Sequence, residues 1–106
     1  MMEELKPISV EQVKQDLEEG KEFILLDVRT PEEFEEGHIE GAINIPLKDL
    51  VYDVENEIPE KEETIYLYCR SGVRVLTAGH ILYDLGYENV YNMGGILSWP
   101  YEIVKG

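Results

Sequence analysis

The chain has 106 residues, 43% of them hydrophobic and 30% charged, with one cysteine and a formal net charge of -14. That length is one domain's worth, and folding buries roughly 65% of the surface the unfolded chain exposes, enough for a core without disulfides. The acidic balance argues against nucleic acid, whose binding relies on Lys and Arg neutralising phosphates.

A single Cys permits no internal disulfide and fits a reducing compartment. The start "MMEELKPISV" lacks a basic stretch followed by a long apolar run, and "FILL" is too short to cross a bilayer. The expectation is a soluble, cytoplasmic, single domain over residues 1–106 with no membrane partner.

In chain order, "ISVEQVKQDLEEG" reads as a helix capped by Ser9 and stopped by Gly20, with Val10, Val13 and Leu17 on one face. "EFILLDV" is a continuous apolar run, the mark of a strand covered on both faces. "TPEEFEEG" supplies Thr30 as N-cap, Pro31 at the first helical position and acids in the first turn. "GAINIP" is a second short strand closed by Pro46, and "LKDLVYDVENE" is weakly helical. "ETIYLYC" is a third strand, rich in β-branched and aromatic residues. "VRVLTAGHILYDLG" forms a helix ended by Gly86, with Val75, Leu82 and Leu85 turned inward. "NVYNM" is a fourth strand and "GGILSWPYEIV" is expected to be a last helix. Strands alternating with helices imply an α/β fold whose sheet is mostly parallel, with ligands beyond the carboxyl ends of the strands.

Cys69 stands at such an end, and that position together with the flanking "RSGVR" argues against the ordinary reading of a lone Cys as a small buried hydrophobe. The acidity also thins out there. Residues 1–68 hold 6 Lys or Arg against 20 Asp or Glu, whereas from Cys69 onward Arg70, Arg74 and Lys105 match Asp84, Glu88 and Glu102. The order strand, Cys69, "RSGV", Arg74, helix can turn several backbone N–H groups toward one point, with Gly72 free to adopt conformations other residues resist. A thiolate there is stabilised, and so is an anion attached to it. Hydrogen bonds to a charged group are worth about 1.5–3 kcal/mol each, against about 0.3–1 kcal/mol for a helix dipole, so two or three loop amides would outweigh the dipole. His38 and His80 are the only histidines, and His80 falls about two turns, roughly 10 Å, along the following helix. With no base nearby, the pattern suits a preformed thiolate and a leaving group that departs as a stable anion.

"LLDVRTPEEFEEGHIEGAINIPL", "YCRSGVR" and "LGYENVYNMGGILSW" together resemble, in order, the signatures of the rhodanese-like, single-domain sulfurtransferase family. The resemblance implies the rhodanese fold, a central mostly parallel sheet of about five strands flanked by helices on both faces. It implies that Cys69 accepts a sulfane sulfur as a persulfide. Arg70, Ser71, Gly72, Val73 and Arg74 then complete the substrate-binding loop. The implied partners are a small anionic sulfur donor, thiosulfate or a persulfide, and a cyanide or thiol acceptor, including a protein thiol. No metal or organic cofactor is called for, and one Cys with two distant His has no metal-site spacing.

Two rivals stand beside this reading. One is a slow or non-catalytic persulfide carrier or interaction module. The other is a cysteine phosphatase or arsenate reductase, which uses Cys, five residues, then Arg, whereas Arg74 follows Cys69 after four. Among the neighbours, Asp27 and Arg29 read as a structural pair, and Ser71 as either a loop residue or an N-cap. Glu32, Glu33, Glu35 and Glu36 read as a solvated helix face, and Trp99 as core or pocket wall. Val75 departs from the small or polar residue common after the loop in this family, which bears on how the next helix is capped.

Overall fold

The structure is a computed structural model and describes residues 5–106. Its elements are β1 (Lys6–Pro7), α1 (Val10–Glu19), β2 (Ile24–Asp27), α2 (Pro31–Glu36), β3 (Ile43–Asn44), α3 (Leu50–Glu57), β4 (Ile65–Cys69), α4 (Arg74–Asp84) and β5 (Val90–Gly95). Short 3-10 turns at Leu47–Asp49 and Ile96–Ser98 follow β3 and β5. The five strands form one sheet in the order β1-β5-β4-β2-β3, and every pairing is parallel. All strands therefore end at one edge, and β4, which carries Cys69, lies in the middle. The sheet of five strands flanked by helices expected from the sequence is the one observed.

The apolar runs become fully covered strands by alternation. From β2 and β4, Leu26, Ile65, Leu67 and Cys69 enter one core layer with Leu50 and Val54 of α3 and Val75, Ala78 and Leu82 of α4. Their neighbours Leu25, Tyr66 and Tyr68 enter the opposite layer with Val13 of α1, Ile39 and Trp99. Each fully buried Leu, Ile or Val contributes about 1.5–3 kcal/mol relative to exposure, so these two layers dominate stability.

Local signals set the helix starts. Ser9 Oγ accepts the Gln12 N–H at 3.0 Å. Thr30 and Glu33 form a reciprocal capping box at α2. Among the described residues, no helix is long and apolar enough to cross a membrane.

The sequence expectation fails in two places. "GGILSWPYEIV" is not a helix: after Ile96–Ser98 the chain is irregular, with a bend at Tyr101, because Pro100 cannot donate a helical N–H and its ring clashes with the preceding turn. Val104 instead exchanges two backbone hydrogen bonds with His38, both 2.8 Å. The edge strand β1 was not expected either, since two exposed residues, one of them Pro7, carry no strand signature.

One helix contact is polar. Asp16 is buried on the inward face of α1 and accepts hydrogen bonds from Gln12 Nε2 at 2.8 Å and the Tyr66 hydroxyl at 2.7 Å, with Lys21 Nζ 3.2 Å away. Tyr66→Phe leaves this carboxylate one donor short, so a loss of about 1–3 kcal/mol is expected, read as a lower urea midpoint with an unchanged slope. An unshifted midpoint would show that the bond contributes nothing.

Candidate active site

Two buried polar groups frame the carboxyl edge of the sheet. Asp27 accepts from the Arg29 backbone N–H at 2.9 Å, and the Arg29 guanidinium closes on the same carboxylate at 2.7–3.1 Å. Arg29 also donates to the Gly37 carbonyl at 2.7 Å, while Asn44 Nδ2 donates to the carbonyls of Asp27 and Arg29. The end of β2, the end of α2 and β3 are thus fastened together. This matches the structural pairing read from "DVR".

Cys69 ends β4 with only 1% of its surface exposed. Its side chain faces the layer that holds Leu67 and Val75, and its Sγ accepts the Gly72 N–H at 3.1 Å. Among the described residues this is the one amide that reaches the sulfur, so the cradle of two or three amides expected from the sequence is reduced to one. Gly72 has φ +92°, a conformation that L side chains rarely adopt, and this folds its amide back onto Sγ.

The loop is held from the side by β5. Between Leu67 and Tyr68 the β4–β5 register shifts by one, so that Cys69 lies opposite Gly95. A Cβ on Gly95 would stand 2.2 Å from the Arg70 carbonyl oxygen, and that oxygen accepts the Leu97 N–H at 3.2 Å.

The two loop arginines differ. Arg70 is exposed and makes no ion pair among the described residues. It lines a cleft of about 300 Å³ with Glu36, Leu97, Trp99, Tyr101 and Ile103. Arg74 instead grips Glu33 with two hydrogen bonds, 2.8 and 3.0 Å, bridging α4 to α2. The Glu33 hydrogen bonds lead the causes that raise the Arg74 guanidinium above its ordinary value, and the charges of Cys69 and Asp27 act in the same direction. Glu33 is therefore not part of a solvated face. Its capping box was legible as Thr30 followed three residues later by Glu33; a partner 41 residues away was not.

Ser71 and Val73 are exposed, and neither caps α4 through its side chain. Val73 is the N-cap residue and Val75 is fully buried, so the apolar departure at 75 serves the core. His38 stacks on Phe34 with Nδ1 2.9 Å from the Phe34 carbonyl, and His80 sits within α4. Neither histidine is hydrogen-bonded to Cys69. Trp99 is a wall of the cleft, as read, but Gly95, Leu97, Tyr101 and Ile103 had not been singled out.

Comparison with known proteins gives a consistent set of likenesses. Residues 9–101 match the rhodanese-like domain family. The chain is similar to the thiosulfate sulfurtransferase PspE of Escherichia coli, at 40% identity over 81 residues, 76% of this chain and 78% of PspE. It is also similar to a sulfurtransferase of Allochromatium vinosum, at 38% identity over 93 residues, 87% of this chain and 85% of the relative. Among solved structures, a rhodanese with anions from Escherichia coli superposes with a TM-score of 0.73 at 38% identity, covering 78% of this chain and 98% of that one.

Gly95→Ala puts a methyl against the Arg70 carbonyl and should cost about 1–3 kcal/mol while altering the rate at which Cys69 is alkylated by iodoacetamide. Unchanged stability and alkylation would show that the close approach is of no consequence. A second expectation concerns acid. The hydrogen bonds from Arg74 hold the Glu33 carboxyl down to about 2, below its ordinary 4.5. A carboxyl lowered by folding stabilises fully above its unfolded value, and that contribution disappears as pH falls from 4.5 toward 2. Glu33→Gln should flatten this part of the acid limb in urea midpoints; parallel limbs in the two proteins would reject the pairing as a source of stability.

Proposed function

Because the chain belongs to the rhodanese-like domain family, we propose that it moves a sulfane sulfur from a thiosulfate-like donor to a thiophilic acceptor through a persulfide on Cys69. Sulfur transfer in general is what its named relatives support. The finer reading rests on one observation: the single thiol ends the central strand with the Gly72 amide on its sulfur, at the foot of a loop that opens beside an unpaired arginine.

Each half-reaction has a place for its charge. The Cys69 thiolate attacks the outer sulfur of thiosulfate, the S–S bond breaks, and its electron pair leaves with sulfite. Arg70, which forms no ion pair among the described residues, meets the incoming anion in a cleft that Glu36 also lines. Arg74, fixed by Glu33, supplies a positive charge near the sulfur that does not swing away with solvent. Gly72 donates to the sulfur before and after the step. The acceptor then takes the outer sulfur and Cys69 departs as a thiolate, so stabilising that thiolate serves both steps. Ser71 and Val73 complete the loop, and the step needs no metal or organic cofactor.

Intact mass spectrometry after incubation with thiosulfate checks this. The native protein should gain one sulfur, which cyanide removes as thiocyanate, whereas Cys69→Ser should gain none. Thiocyanate production by the variant at the native rate would overturn the mechanism.

A further inference from the structure

Four of the large apolar side chains left exposed among the described residues gather at the mouth of the Cys69 loop. Val73 is 70% exposed within the loop and Leu76 is 51% exposed in the first turn of α4. Leu97, 67% exposed, and Ile103, 49% exposed, stand in the wall of the cleft that Arg70 lines. Two more, Val51 and Tyr52, open α3 at the same edge of the sheet. Core packing explains none of this exposure. Apolar groups gathered at one place on an otherwise charged surface mark a contact site.

The charge around them selects the occupant. Arg70 makes no ion pair among the described residues, but exposed Glu36 lines the same cleft, exposed Glu102 precedes Ile103 in the chain, and exposed Glu32 lies in the first turn of α2. A second copy of this chain would bring another -14 against that rim. A small anionic thiol would leave the apolar collar empty. We propose that this collar docks an acceptor protein whose reactive cysteine lies on an apolar loop flanked by Lys or Arg. The inference rests on the persulfide reading above and names the acceptor for it. In the transfer, the acceptor thiol gives its proton to solvent and its sulfur bonds to the outer sulfur of the persulfide. The bond to Cys69 Sγ breaks, and that electron pair stays on Sγ. No oxidant or reductant is needed.

Two synthetic peptides provide the test, each with one Cys between leucines, one flanked by lysines and the other by glutamates. Protein loaded with thiosulfate and desalted is mixed with each, and the one-sulfur gain of the peptide is followed by mass spectrometry. The lysine peptide should accept sulfur at least about ten-fold faster at low salt, with the lead shrinking as salt screens the rim. Leu76→Ser with Tyr52→Ser should slow the lysine peptide about five-fold while thiocyanate formation from cyanide keeps its native rate. Leu76→Ser alone, which alters only a solvent-facing side chain, should show part of the same loss and serves if the double variant is unstable. Equal rates for the two peptides, or no effect of the substitutions, would overturn the docking inference while leaving the persulfide intact. Sedimentation showing a dimer that shields Leu76 and Ile103 would overturn it in favour of a second copy. Failure of the native protein to load sulfur would remove the persulfide reading and this inference together.

Discussion

The Arg70 carbonyl is the joint on which this site depends. It leaves β4 immediately after Cys69, presses on β5 where only a residue without a Cβ fits, and accepts the Leu97 amide. Because the register of β4 against β5 shifts just before this point, Gly95 arrives opposite Cys69. The loop is therefore held from outside by a neighbouring strand as well as by its own Gly72 turn. A short loop anchored at one end by a carbonyl and at the other by a helix has little freedom left, and the Gly72 amide consequently meets the sulfur at 3.1 Å. Such preorganisation is what makes a single hydrogen bond useful to a charged atom.

Charge pairs carry the surrounding frame. Asp27 and Arg29 are both buried and tie three segments of the carboxyl edge, while Arg74 and Glu33 span from α4 to α2. Buried pairs of this kind add little net stability over apolar replacements, but removing one partner is costly because it strands the other. Their contribution here is placement. In a chain of net charge -14, Glu33 is spent on Arg74, whose guanidinium feels the charge of Cys69, and Arg70 is left without an ion pair among the described residues.

Much of the architecture was legible because it is local. The runs "FILLD" and "IYLYC" name the covered strands, Ser9 and Thr30 name the helix starts, and "CRSGVR" names the loop. What escaped is non-local or silent. The Glu33–Arg74 contact joins residues 41 apart, and the Tyr66–Asp16 bond joins residues 50 apart. The strand β1 has two residues and no pattern to read. The terminal segment shows how two signals conflict: the apolar spacing of "ILSWPYEIV" suggests a helix, but Pro100 forbids one, and Val104 finds its backbone partners at His38 instead. Cys69 is buried although its strand-end position and the flanking "RSGVR" argue against burial, because a strand end reads as a surface position unless the packing of α4 beneath it is known.

That burial has a directional consequence. Substitution at divalent sulfur runs along a straight line through the incoming atom, the atom attacked and the departing one. With the Cys69 side chain almost wholly enclosed, few such lines can reach it. Under the proposed mechanism, giver and taker of sulfur would therefore have to queue for the same narrow approach, one after the other.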